Sequence, residues 1–114
     1  MKSARKYVLL GLAVVLLAAL LSGCSVAVTP RYGEIKICTD DLSIYGDVYI
    51  DDEYTGYCID GAEWWPGCNQ CTGWVTVTLH EKHYLEVWDN ESRTTTYIGS
   101  FTPTRDGQEI WINK

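Results

Sequence analysis

Short runs of alternating apolar and polar residues are the feature that most limits what this chain can fold into. In the clearest run, Val75, Val77 and Leu79 are separated by single threonines. Alternation with a period of two places successive side chains on opposite faces of a β-strand. Six or seven such runs predict an all-β fold, a small β-sandwich. The predicted strands cover residues 34–37, 47–50, 54–58, 74–79, 83–88, 94–101 and 108–112.

The residues between these runs are typical of turns. Asp51-Asp52-Glu53 separates two predicted strands and indicates a hairpin. Asp106-Gly107 marks another turn, because Asp bonds to its own backbone there and Gly tolerates unusual dihedral angles. The alternation predicts that Ile35, Ile37 and Leu85 point into the core.

The first residues follow the layout of a secretion signal. Lys2, Arg5 and Lys6 form a basic head, and an uncharged apolar run extends over residues 7–21. A membrane-spanning helix needs about 20 apolar residues, and this run is shorter. Residues 1–23 are therefore predicted to be an N-terminal signal helix that is removed on export.

Leu21-Ser22-Gly23-Cys24 resembles the lipobox of bacterial lipoproteins. The resemblance implies cleavage before Cys24 and acyl chains, palmitate among them, on that cysteine. Two or more chains attach a protein stably, since burial contributes about 0.8 kcal/mol per CH₂. Residues 24–32 would then be a lipidated tether. The alternative is an ordinary signal peptide with a free cysteine near its cleavage site.

The position after the lipobox bears on localisation. In the lipoprotein family, an Asp next to the lipidated cysteine directs retention in the inner membrane, and this chain has Ser25. The resemblance therefore implies a cell-envelope protein, in the outer membrane if the host has two membranes. We expect the membrane to be a partner through the lipid anchor.

Charge limits the remaining partners. All 15 acidic residues but only six of the nine basic residues follow Gly23, so the 91 remaining residues carry a net charge of −9. Nucleic acid is bound by clusters of Lys and Arg, and this segment has none, so we expect no nucleic acid partner. The length suits one domain, predicted to span residues 33–114. Oligomeric state is left open.

Four cysteines follow Cys24, namely Cys38, Cys58, Cys68 and Cys71. An even number in a small exported domain predicts disulfides, each contributing about 2–4 kcal/mol. Three pairings remain open, and loop entropy favours tying Cys38 and Cys58 to each other or to the later pair. As alternatives, Cys68 and Cys71 would form a thiol-disulfide oxidoreductase centre or contribute to a metal site. A redox pair at this spacing normally lies at the start of a helix, whereas Cys68 and Cys71 lie between residues 64–67 and a predicted strand. We therefore expect no cofactor and no metal.

A second resemblance involves the predicted domain. The run Val48-Tyr49-Ile50-Asp51-Asp52-Glu53-Tyr54-Thr55-Gly56, followed by Leu79 and by His83-Tyr84-Leu85-Glu86-Val87, looks like the PEGA domain family. The resemblance spans residues 33–113. It implies an immunoglobulin-like or transthyretin-like β-sandwich that serves as a non-catalytic module of cell surfaces and envelopes.

Acidic and histidine residues are the candidates for metal binding or catalysis. Asp40-Asp41 and Asp51-Asp52-Glu53 would suit calcium, but they lack EF-hand spacing, and we expect solvated turn tips. His80 and His83 have no nucleophile context, and a packing or hydrogen-bonding role suffices for His83. We therefore expect no enzyme and no catalytic residue.

Aromatic residues are the most informative excess. The chain has five Trp and eight Tyr against one Phe, and Trp64-Trp65-Pro66-Gly67 lies outside any alternating run. We expect this segment to fold back beneath the disulfides as a lid on the core. If it is exposed, Trp64 and Trp65, joined by Tyr57, are the candidate ligand site. The sequence thus predicts a lipid-anchored module that binds or scaffolds another envelope protein or a glycan.

Overall fold

The computed structural model of the protein describes residues 29–114. The predictions for residues 1–28, including the signal helix and Cys24, lie outside the described residues. Residues 31–114 form one compact unit of strands without a helix, so this part contains no helix able to cross a membrane. The all-β prediction is confirmed. The strands are β1 Tyr32–Cys38, β2 Tyr45–Ile50, β3 Glu53–Asp60, β4 Val75–Thr78, β5 His83–Asp89, β6 Thr94–Phe101 and β7 Gln108–Trp111.

These strands form two sheets that pack face to face as a sandwich. One sheet has three strands in the order β4-β1-β7, and the other has four in the order β3-β2-β5-β6. All neighbouring strands are antiparallel except β1 and β7, which are parallel. Consecutive strands therefore often lie in different sheets, and residues distant in sequence meet on one face.

Alternation along each strand decides which side chains enter the core. Ile35 and Ile37 of β1 are fully buried, as is Val87 of β5, and Leu85 is 2% exposed. Burying side chains of this kind stabilises the fold by about 1.5–3 kcal/mol each. The opposite face of each sheet faces solvent. The core is completed by Ile44, Val48, Ile50, Ile59, Val77, Phe101 and Ile112.

Two disulfides are present, as predicted. Cys38 bonds to Cys71 across 33 residues, and Cys58 bonds to Cys68 across 10 residues. Of the three pairings left open by the sequence, the structure has one that ties the two early cysteines to the later pair. Loop-closure entropy gives roughly 4 kcal/mol for the longer bridge and roughly 3 kcal/mol for the shorter one.

The segment between β3 and β4 connects the two sheets. Asn69 pairs with Ile59 of β3 in the four-stranded sheet, and Cys71 pairs with Cys38 of β1 in the other sheet. The Thr39 amide donates to the Gln70 carbonyl at 2.8 Å, which extends the second of these pairings. The chain that precedes this crossing is consequently held at one end of the sandwich.

Candidate functional site

Residues 61–68, here called the tryptophan loop, are organised around a buried carboxylate. Asp60 ends β3 and is only 2% exposed. Its Oδ1 accepts a hydrogen bond from the Ala62 amide at 2.9 Å, and its Oδ2 accepts from the amides of Trp64 and Trp65 at 2.8 and 3.0 Å. The disulfide between Cys58 and Cys68 closes the base of the loop. Together these contacts define the shape of the loop.

The two tryptophans of this loop face solvent. Trp64 is 86% exposed and Trp65 is 46% exposed. The expectation that the segment folds beneath the disulfides as a lid is therefore wrong. The physical reason is the Asp60 carboxylate, which draws the backbone of the loop inward and leaves the indole rings outside. Large apolar surface held in the open in this way is typical of a contact site.

A groove lies between the tryptophan loop and the outer face of the four-stranded sheet. Asp47 of β2 is directly opposite Cys58 of β3 and Trp88 of β5. Such cross-strand neighbours lie roughly 4.5–5.5 Å apart, so the three side chains form one row. Trp65 and Pro66 also line the groove, whose volume is about 170 Å³. The remaining lining includes Tyr45, Asp89 and Glu91.

Gly46 allows the strands beneath the groove to come close together. Its φ of 136° is one that other residues rarely adopt, and a Cβ at this position would collide with the carbonyl group of Trp88. A side chain here would push β2 away from β5. Glycine at this position therefore contributes to the placement of Asp47 next to Trp88.

Tyr57 belongs to a different part of the surface. Its ring lies against Gly73, where an added Cβ would meet it at 2.5 Å, and it does not line the groove. Cys58, the next residue along β3, takes the opposite face. The predicted grouping of Tyr57 with the two tryptophans is thus not seen, although its side chain is 40% exposed.

Cys68 and Cys71 are not bonded to each other. Each is held in a disulfide with a cysteine of a different strand, β3 for Cys68 and β1 for Cys71. Within residues 29–114, no group of three or more His, Cys, Asp or Glu side chains is placed to hold a metal ion. The arrangement that a redox pair or a zinc site would need is therefore not formed in this part of the chain.

His83 pairs with Asp51 at the edge of the core. The His83 side chain is 7% exposed, and its Nδ1 lies 2.6 Å from Oδ2 of Asp51. Its Nε2 lies 2.7 Å from the carbonyl oxygen of Thr78. Since a carboxylate and a carbonyl only accept hydrogen bonds, these contacts favour a ring that carries a proton on both nitrogens. The Thr78 hydroxyl also lies 3.1 Å from Nε2.

The pKa values of this pair move apart. Burial is the largest influence on the pKa of His83 and opposes protonation, but hydrogen bonds to Asp51 and Thr78 outweigh it and raise the pKa above 6.5. Burial likewise opposes ionisation of Asp51, but hydrogen bonds from His83 and from the Tyr84 amide lower its pKa below 3.8. The pair thus stays ionised between these values and stabilises the fold.

Two other acidic residues accept hydrogen bonds within the turns in which they lie. Asp41 accepts hydrogen bonds from the hydroxyl and amide of Ser43 and from the amide of Lys114, and the Ser43 hydroxyl contributes most to lowering its pKa to about 2. Asp89 accepts from Ser92 in the turn after β5, which lowers its pKa. Both observations agree with the expectation that Asp stabilises turns here.

Sequence reasoning missed three residues of this region. Trp88 was recognised only as the end of a strand, although alternation from Leu85 and Val87 would have placed it outward. In the sequence pattern, Asp47 is only the first residue of a predicted strand. Nothing in the local pattern marked Asp60 as the buried centre of a loop. The missing information was strand order, which brings β2, β3 and β5 together.

Comparison of the chain with known proteins finds no match to a family model, a curated protein or a solved structure.

Proposed function

We propose that this chain is a lipid-anchored cell-envelope protein whose β-sandwich is a non-catalytic module that binds or scaffolds another envelope component. The proposed localisation is inferred from the lipobox-like Leu21-Ser22-Gly23-Cys24, which follows a basic and apolar leader. The strand and turn pattern that resembles the PEGA family belongs to the same proposal. A component of the envelope, protein or glycan, is the partner.

One observation carries the binding role: the tryptophan loop presents Trp64 and Trp65 to solvent in a defined shape. Exposed indoles in a flexible loop would lose much conformational freedom on binding, which weakens affinity. Here Asp60 and a disulfide have already ordered the loop. Tryptophan is also the residue type most enriched among energetically important contacts. A preorganised pair of this kind suits recognition of a partner surface.

The contacts of His83 support a binding role over catalysis. Both nitrogens of His83 are engaged, one by Asp51 and one by Thr78. A ring whose two nitrogens are both engaged in this way is poorly placed to accept a proton from a substrate. Its role in the proposal is structural, in holding the β2–β3 turn against the start of β5.

Attachment to the membrane depends on lipid in this proposal. A domain with a net charge of −9 is repelled by an anionic leaflet, so electrostatic attraction does not hold it there. We expect Cys24→Ala to move the protein from the membrane fraction to the soluble fraction and to remove the acyl mass seen by intact mass spectrometry. Cys24→Ala protein that remains membrane-bound, or wild-type protein without acyl chains, would contradict the anchor.

Site-specific photocrosslinking in cells that export the protein tests the binding role. A photoreactive residue at position 64 is expected to give a discrete crosslinked product with one envelope component. The matched control replaces Trp111, which is 53% exposed on the outer face of the other sheet and lies outside the loop.

Asp60→Asn provides a second control for the same experiment. Asparagine has one carbonyl oxygen, so hydrogen bonds to at least one of the three amides are lost and the loop loosens. The yield at position 64 should therefore fall in this variant. Equal yields at positions 64 and 111, or no product at position 64, would argue against a contact role for the loop.

A further inference from the structure

We propose that the groove between Trp65 and Trp88 binds a positively charged side chain, an amine or guanidinium, presented by a basic segment of a partner protein. This inference rests on the proposed binding function and names the chemistry of the partner. It concerns the groove on the sheet, whereas the function above was argued from the exposed loop. The proposed function and this inference are therefore tested by different experiments, and one can be rejected without the other.

Geometry supports a small cationic group. Asp47 is the central member of the row, with Trp88 directly opposite on β5 and the disulfide of Cys58 on the other side. An amine hydrogen-bonded to the Asp47 carboxylate would lie next to the Trp88 side chain, and a cation within about 6 Å of an aromatic ring is attracted to its face. Trp65 and Pro66 line the groove above this position.

The charge of the residues that line the groove favours a positively charged ligand. Three carboxylates line the groove, from Asp47, Asp89 and Glu91, and none of the described residues that line it is Lys or Arg. Within residues 29–114, neither Asp47 nor Glu91 accepts a hydrogen bond through its carboxylate. A neutral ligand that displaced water from these carboxylates would leave charge poorly solvated, at a cost in free energy. A cation compensates this loss.

The other sheet shows how the same chemistry is completed within the chain. On the outer face of the three-stranded sheet, Nζ of Lys36 lies 4.5 Å from the centre of the Trp74 ring. The Trp74 ring therefore has a cation–π contact with a lysine of the same chain. In the groove, Trp88 has a carboxylate beside it and no lysine among the described lining residues. In the proposal, a partner supplies the cation that contacts Trp88.

The size of the groove favours a protein side chain over a small molecule. Its volume of about 170 Å³ is below the roughly 300 Å³ at which small-molecule pockets usually begin. One extended lysine or arginine side chain suits such a space, with its backbone outside. The neighbouring exposed surface of Trp64 would then contact the rest of the segment.

The test measures binding of a capped hexalysine peptide to the full-length protein in a nonionic detergent, by titration calorimetry. We expect Asp47→Asn to weaken binding by about tenfold, since a partly desolvated charge pair is lost. Glu53→Gln removes the same charge at the opposite end of β2 and β3, where the side chain is exposed, and should change the affinity by less than about twofold. Trp88→Leu should weaken binding, and thermal melting checks that each variant is folded.

Four outcomes would overturn the inference. Equal weakening by Asp47→Asn and Glu53→Gln would indicate only general attraction to an acidic protein. Spermidine binding as tightly as hexalysine, with the same dependence on Asp47, would replace the protein segment by a free polyamine. A chitin tetrasaccharide that binds with no dependence on salt would make the groove a glycan site. No binding of hexalysine, while crosslinking at position 64 persists, would reject the cation and retain the proposed function.

Discussion

At the scale of single residues, His83 and Asp51 form the most informative contact. The two lie 32 positions apart in the chain, and the structure places Nδ1 of His83 2.6 Å from the Asp51 carboxylate. The carbonyl of Thr78 on the other side of the ring favours a second proton. These contacts favour the protonated ring in the folded state, in agreement with the raised pKa of His83.

This pair makes stability depend on pH in a defined direction. The raised pKa of His83 means that its contribution is fully present below 6.5 and is lost as pH rises through the raised value. The lowered pKa of Asp51 means that its contribution is present above 3.8 and is lost as pH falls through the lowered value. We expect the pair to stabilise the fold most between these two values, as measured by urea unfolding across a pH series.

Asp51→Asn isolates this effect. The variant should be less stable than wild type near pH 5.5 by about 1 kcal/mol, a modest figure because the Asp51 side chain is 46% exposed and partly screened by water. The difference should shrink as pH rises beyond the raised pKa of His83. Asp52→Asn, one residue away and without a contact to the ring, should follow the wild-type curve. Parallel curves for wild type and Asp51→Asn would refute the ion pair.

At the scale of elements, the hairpin of β2 and β3 was predicted from its Asp51-Asp52 turn. Ile50 pairs with Glu53, so the loop has two residues, and both have positive φ, 52° at Asp51 and 66° at Asp52. This is a type I′ turn, whose twist matches that of the flanking strands. Asp tolerates the left-handed conformation better than most residues, but at a cost.

Glycine at the second turn position should therefore stabilise the hairpin. Relief of the left-handed conformation at Asp52 recovers roughly 1 kcal/mol, and the greater freedom of glycine in the unfolded chain offsets about half of that gain. We expect Asp52→Gly to raise the free energy of unfolding by about 0.5 kcal/mol in urea titrations. Asp51→Gly is the matched control, and it should destabilise because the His83 partner is lost. A loss of stability in Asp52→Gly would mean that its side chain contributes a contact of its own.

At the scale of the whole molecule, the acidic surface surrounds a small core. The net charge of −9 after Gly23 is spread over 91 residues, so the folded state carries self-repulsion. The two disulfides offset part of this cost by restricting the unfolded chain. The compact unit that follows residue 30 therefore combines a thin apolar core with covalent bridges.

Salt should relieve the repulsion. Raising NaCl from about 10 mM to about 150 mM shortens the screening length from roughly 30 Å to roughly 8 Å, and the urea midpoint is expected to rise. Glu53→Lys lowers the net negative charge by two at the exposed first residue of β3 and should reduce this response. A midpoint that falls with salt would show that favourable ion pairs outweigh the repulsion.

Local pattern was sufficient for the strands and their buried faces. The alternation around Ile35, Val77 and Leu85 predicts both the element and the direction of each side chain, because a period of two is a property of the extended backbone itself. The hairpin at Asp51 follows from turn chemistry for the same reason. The presence of disulfides follows from an even number of cysteines, four, in a small domain that the sequence predicts to be exported. The strands, the hairpin and the disulfides are all confirmed.

Pairing between distant segments was decided only by the tertiary structure. Strand order places Asp47 beside Trp88, and no local pattern determines the pairing of two residues that lie 41 positions apart in the sequence. The choice among disulfide pairings and the partner of His83 depend on the same packing. Exposure of Trp64 was mispredicted because the deciding contact is made by the buried Asp60, whose effect depends on where the loop ends meet. Periodicity is local and therefore readable along the chain, whereas the site is assembled by long-range packing of the two sheets.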